Sequence, residues 1–261
     1  MAKELEGRWA LVSGASSGIG AELARELASR GSKLVLVSRR TEKMEALARE
    51  IQALGMIEIH VVSADLTERG APERLLKVLE SRGIEVSILA NNAGFGAYGP
   101  FDSIPAEVEA AMLDLDIKAI VGLTRLFAGP MRKAGWGRIL LTASTAAYQP
   151  TPLYASYAAA KAFVLSYGLA VRSELEGTGV SVTVLSPGVT RTAFHSVAGH
   201  EDNAFKRATM MEARPVARAA VTALLRCRPE VVPGAVNKLS AFGVRFLSRP
   251  AQASMAKRLM S

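Results

Sequence analysis

A repeated alternation of short apolar runs and helical patterns constrains this chain's fold more than any other feature. Trp9-Ala10-Leu11-Val12-Ser13 opens the series, and Lys33 to Ser38, Ile57 to Val62 and Val86 to Ala90 continue it. Arg138 to Ala143 and Val180 to Leu185 are further runs of the same kind. Between them, apolar residues recur at helical spacing: Leu23, Leu27 and Ala28 before Gly31, then Met44, Leu47, Ile51 and Leu54 before Gly55. Helical stretches also read around Leu75 to Leu79, Val108 to Leu126 and Tyr154 to Glu176, and Thr41 is placed to cap the second helix. Strands that are apolar throughout must be covered on both faces, which predicts a parallel sheet between two helix layers. No linker, repeat or low-complexity segment interrupts the pattern. The 261 residues, 49% of them hydrophobic, suit one large α/β domain spanning 1–261.

Where the first strand gives way to the first helix, the chain reads Gly14-Ala15-Ser16-Ser17-Gly18-Ile19-Gly20. A helix N-terminus offers unpaired N–H groups and a positive dipole end, and glycines let a pyrophosphate approach the backbone. Ser16 and Ser17 add hydroxyl donors. The spacing is G-x-x-x-G-x-G, and the absence of a following Gly-Lys-Ser/Thr argues against a P-loop nucleotidase. The fold expected is therefore Rossmann-like and doubly wound, with a dinucleotide at the sheet's C-terminal edge. The second strand ends in Val37-Ser38-Arg39-Arg40, with no acid until Glu42. An acid there would accept from a ribose 2′-hydroxyl, whereas arginine matches a 2′-phosphate with a planar fork of donors. Arg39 and Arg40 thus favour NADP(H) over NAD(H).

Tyr157-Ala158-Ala159-Ala160-Lys161 places a phenol and an ammonium four residues apart, on one face of a helix. A nearby cation favours phenolate and makes tyrosine a usable acid and base. Tyr154 lacks such a partner, because Ala158 lies four residues beyond it. A half-buried tyrosine beside an exposed lysine would have the same spacing as Tyr157 and Lys161, so the surrounding motifs decide.

Those motifs resemble the short-chain dehydrogenase/reductase family from about Gly7 to about Leu225. Ser13 to Gly20 is similar to its T-G-x-x-x-G-I-G, and Asp65-Leu66 to its adenine-contacting pair. Asn91-Asn92-Ala93-Gly94 resembles its N-N-A-G, and Ser144, Tyr157 and Lys161 resemble its catalytic serine and Y-x-x-x-K. Pro187-Gly188-Val189-Thr190-Arg191-Thr192 matches its P-G loop, in which Thr192 would hold the carboxamide. The resemblance implies that Gly14, Ser16, Ser17, Gly18, Ile19, Gly20, Arg39, Arg40, Asp65, Leu66, Asn92, Ala93, Gly94, Pro187, Gly188, Thr190 and Thr192 bind the cofactor, together with Tyr157 and Lys161. It implies hydride transfer between the nicotinamide and a ketone, aldehyde or secondary alcohol. Tyr157 would exchange the proton, Ser144 would hydrogen-bond the oxygen, and Lys161 would bind the ribose and lower the tyrosine pKa. The family's fourth catalytic residue, an asparagine, is replaced by Asp116, which keeps an oxygen acceptor but adds a charge. An alternative is a cofactor-binding regulator or scaffold with weak or no turnover.

The remaining expectations concern surroundings and partners. Residues 193–213 would form a substrate lid, with Phe194, Phe205, Met210 and Met211 as apolar contacts. Phe95, Tyr98, Tyr148 and Pro150-Thr151-Pro152 would line the rest of a pocket for an apolar substrate, and a homodimer or homotetramer is implied by the family. Cys227 is the single cysteine and the three histidines are scattered, so no disulfide or metal site is expected. The net charge is +8, and the segment from Arg226 to Ser261 carries seven Lys/Arg against Glu230 alone. No nucleic-acid module accompanies this basic tail (about 234–261), which is read as a solvated face, with peripheral membrane contact as the rival. No apolar run reaches bilayer length and the N-terminus has no apolar signal core, so a cytoplasmic protein is expected.

Overall fold

The computed structural model describes residues 4–192 and 210–260. Six strands follow the expected runs: β1 (Trp9–Ser13), β2 (Lys33–Ser38), β3 (Ile59–Ser63), β4 (Val86–Asn91), β5 (Gly137–Thr142) and β6 (Val180–Leu185). Three two-residue strands follow, β7 (Thr190–Arg191), β8 (Met211–Glu212) and β9 (Glu230–Val231). The main sheet has seven strands in the order β3-β2-β1-β4-β5-β6-β9, all parallel, while β7 and β8 pair separately. The order reverses direction between β1 and β4, so the crevice beyond their C-terminal ends is where a ligand can enter.

The helices are α1 (Gly18–Ser29), α2 (Thr41–Ala53), α3 (Ala71–Glu80), α4 (Ala106–Leu113), α5 (Ile120–Lys133) and α6 (Ala155–Glu174). Three more follow, α7 (Ala213–Leu225), α8 (Ala235–Gly243) and α9 (Arg249–Met260). Alternating side chains of each strand enter two cores. Ala10 and Val12 of β1 pack with Leu23, Leu27, Met44 and Val221 on one side. Leu11 faces the other way, among Leu75, Leu79, Leu123, Phe127 and Val164. This two-sided burial is why the strands lack polar alternation.

Local chemistry accounts for the departures from expectation. The third strand begins at Ile59 because the Ile57 N–H donates to the Gly55 carbonyl in a turn. Thr41 is the first helical residue of α2, with Arg40 at the cap position and its side chain directed elsewhere. The stretch from 108 to 126 is continuous but not uniform, since a π-helical turn at Asp114–Ala119 joins α4 to α5. The expected lid falls mostly on residues 193–209, outside the described residues.

Candidate active site

The β1–α1 loop bends so that the N-terminus of α1 faces the crevice. Ser17 occupies the N-cap position, but no side chain caps the helix, so its first N–H groups remain available to an anion. Gly20 shows why the loop needs glycine. A Cβ there would fall on the Gly14 carbonyl oxygen and lie 2.7 Å from Asn92 Nδ2.

Above this loop, Arg40 donates from Nε to Ser16 Oγ (3.0 Å) and from a terminal nitrogen to Ser17 Oγ (2.7 Å). Ser16 and Ser38 hydroxyls meet at 2.8 Å. Arg39 is exposed and approaches Asp65 Oδ2 at 3.5 Å. Burial opposes the Asp65 carboxylate, yet hydrogen bonds from Thr67 and the Arg39 charge hold its pKa below the usual range. The result is a rim of two guanidinium groups and three hydroxyls around the α1 N-terminus. Such a donor set fits a phosphorylated dinucleotide.

The crevice continues as a cavity of about 640 Å³. Of the residues expected to bind cofactor, only Gly20 is not on its wall, because it packs behind the loop. Ser144, Tyr157 and Lys161 line the far end. Ser144 is extended at the end of β5, and its Oγ accepts from the Ala146 N–H at 3.2 Å. Tyr157 and Ser144 share a side-chain hydrogen bond. Lys161 lies one turn further along α6, with Nζ 5.6 Å from the Tyr157 ring centre.

Asp116 is fully buried on the π turn behind Lys161. Its Oδ2 lies 2.9 Å from Lys161 Nζ, and its Oδ1 accepts from the Phe95 N–H at 3.2 Å. Lys161 Nζ also donates to the Thr142 carbonyl at 3.2 Å. Gly94 makes room for this pair, because a Cβ there would stand 2.6 Å from Asp116 Oδ1.

Three coupled groups set the electrostatics. Burial pushes the Asp116 carboxyl up, while the Lys161 charge and the Phe95 N–H pull it down. Burial works against the Lys161 ammonium, but Asp116 and, after it, Tyr157 overcome it and the pKa is raised. Tyr157 is also raised: burial is the main cause, Asp116 adds to it, and Lys161 and the Ser144 hydrogen bond oppose it. Proton transfer can be run through such a buried, connected set.

Other residues predicted for the pocket divide. Phe95 and Thr151 line the cavity, whereas Tyr98, Tyr148, Pro150 and Pro152 are not on its wall. Tyr154, set aside for lacking a lysine, is part of the wall, and its ring centre lies 5.7 Å from that of Tyr157. Its phenol is pushed up by burial and by its tyrosine neighbours. The basic tail contains an unexpected wall: Asn237, Ser240 and Ala241 of α8 and the following Val244 also face the cavity. Their 1-4-5-8 spacing is a helical stripe, the signal that identifies this face.

A parallel sheet with this strand order, and a helix N-terminus open to phosphate, define a dinucleotide-binding protein. The short chain dehydrogenase family model matches residues 8–203, so the chain belongs to that family. Human 17-beta-hydroxysteroid dehydrogenase type 3 is 35% identical over 190 residues, covering 72% of this chain and 60% of that relative's length. The chain thus spans about three fifths of that relative. A short-chain dehydrogenase from Sphingobium yanoikuyae in complex with NADPH superposes with a TM-score of 0.80 at 29% identity, covering 94% of this chain and 98% of that one. A short-chain dehydrogenase/reductase from Burkholderia phymatum in complex with NAD gives 0.81 at 25% identity, covering 92% and 93%. The fold and oxidoreductase family are thereby established, with structural neighbours that carry either nicotinamide cofactor.

Proposed function

We propose that the protein is an NADP(H)-dependent carbonyl reductase, or the reverse secondary-alcohol dehydrogenase, with Tyr157 as its acid and base. The convergence of Ser144, Tyr157 and Lys161 on one end of the cavity carries the reading. The Arg39–Arg40 rim at the other end supports the phosphorylated cofactor over NAD. When bound, the cofactor supplies hydride to the carbonyl carbon or accepts it from the alcohol.

Ser144 would donate a hydrogen bond to the carbonyl oxygen and favour its developing negative charge. Tyr157 would deliver its phenolic proton to that oxygen. Lys161 would stabilise the resulting phenolate and hold the ribose hydroxyls. The main-chain amides of α1, with Arg40, Ser16 and Ser17, would grip the phosphates. Asn92, Ala93, Gly94, Leu66 and Thr192 would shape the cofactor's walls, together with the Pro187–Thr190 loop.

The wall between Phe95, Tyr154 and Val244 favours a mainly apolar substrate. A relative named for hydroxysteroids supports a bulky one. Following NADPH and NADH oxidation against ketones of increasing size tests the reading. Turnover is expected with NADPH, and Tyr157→Phe should lower it by about 100-fold or more. Tight NADPH binding without turnover on any ketone would instead support a cofactor-binding regulator, the second reading favoured by the Asp116–Lys161 ion pair.

A further inference from the structure

The α8 helix has a second face, pointing away from the cavity. Val236, Leu239 and Phe242 lie three residues apart along it and are 56%, 72% and 54% exposed. The short turn that follows adds Phe246, 76% exposed, and Leu247. Scattered single apolar residues on a surface need no explanation, but five within twelve positions on one element and its adjoining turn form a patch.

The patch is built rather than frayed. Phe242 and Phe246 meet edge to face, with ring centres 5.4 Å apart, and the Arg245 guanidinium lies 5.8 Å from the Phe242 ring. Buried Gln252 of α9 donates to the carbonyls of Val244 (2.7 Å) and Leu247 (3.0 Å), fixing the turn that presents Phe246. Inward-facing Asn237 donates to the Pro233 carbonyl at 3.1 Å and anchors the start of α8.

Cations are interleaved with these apolar groups. Lys238, Arg245 and Arg249 are exposed beside them, and from Val231 to Ser261 the sequence has five Lys/Arg and no acid. We propose that this face docks peripherally on an anionic lipid bilayer, with the apolar side chains entering the interface and the cations at the headgroups. Among the described residues no helix is long and apolar enough to cross a membrane, so the contact would be superficial.

The charge pattern selects this occupant over the alternatives. A symmetric contact between two copies would set this basic patch against itself, with no acid in the segment to pair with Lys238, Arg245 and Arg249. A nucleic acid would satisfy the cations but leave Val236, Leu239 and Leu247 without suitable contacts. An anionic bilayer satisfies both kinds of group.

The full chain should be sedimented with phosphatidylcholine vesicles, alone or containing phosphatidylglycerol. Binding is expected to be roughly tenfold or more stronger to the anionic vesicles and to weaken in high salt. Leu239→Ser/Phe246→Ser should abolish most of it, and Lys238→Glu/Arg249→Glu, whose side chains do not pack in a core, should do the same without disturbing folding. Circular dichroism and NADPH binding report whether each variant remains folded. Absence of binding to either vesicle, or binding indifferent to both variant pairs, overturns the proposal. So does a concentration-dependent dimer that Phe246→Ser dissociates when no vesicle binding is seen.

Discussion

At 2.9 Å from Lys161 Nζ, the Asp116 carboxylate changes the electrical setting of the proposed proton donor. Its charge adds to burial in raising the Tyr157 pKa, against Lys161 and Ser144. Carbonyl reduction needs the protonated phenol and is lost as pH rises through this pKa, whereas alcohol oxidation needs the basic form and is gained. Asp116→Asn removes one raising influence while preserving shape. The alkaline limb of reduction and the rising limb of oxidation should therefore both move to lower pH. Rate profiles of the two directions measure this. An unchanged profile would sink the coupling, and an upward shift would mean that Lys161 loses its proton without the aspartate. Asp116 itself was legible as a departure from an asparagine motif. Its ion pair was not, because the partner stands 45 positions later and only the packing of α6 against the π turn brings them together.

At the level of elements, strand and helix positions followed from periodicity because the inner strands β1, β2, β4, β5 and β6 are buried on both faces. The π turn had no such signal, since Leu113 to Ala119 alternates apolar and charged residues while burial falls on Asp116 and Ala119, so no spacing there marks the change of hydrogen bonding. Short β9 pairs only Val184–Glu230 and Leu185–Val231, too little sequence for an alternation to emerge. The β1–α1 loop was readable because its glycines answer to sterics. Gly20→Ala would drive a methyl group into the Gly14 carbonyl, which as backbone has no rotamer to yield, and against the Asn92 side chain. Destabilisation of about 1–3 kcal/mol is expected, with weaker NADPH binding as the loop is displaced. Gly55→Ala is the control, because a Cβ there meets nothing within 4 Å. Equal denaturation midpoints for the two variants would show that the close approach carries no energy.

For the molecule as a whole, the long-range element invisible to motif reading is α8. It falls in the tail read as a basic surface segment, yet one face closes the cavity and the other remains open to solvent. The loops at the C-terminal edge of the seven-stranded sheet, with α6, line the proposed phosphate end and proton-transfer end of the cavity, while α8 sits across the remaining side. Selectivity by size should therefore be adjustable from α8 without disturbing the reacting groups. Ser240 is suited to this because it lines the cavity but remains exposed, so a larger side chain can be added at its mouth without overpacking a core. Ser240→Phe should raise KM for a steroid-sized ketone by about tenfold, corresponding to roughly 1.4 kcal/mol of lost binding, and change kcat little. A small ketone that does not reach α8 should keep both constants. Steady-state kinetics with NADPH saturating separate the two cases: an equal loss for small and large ketones would mean that α8 supports the fold of the site and does not gauge the substrate.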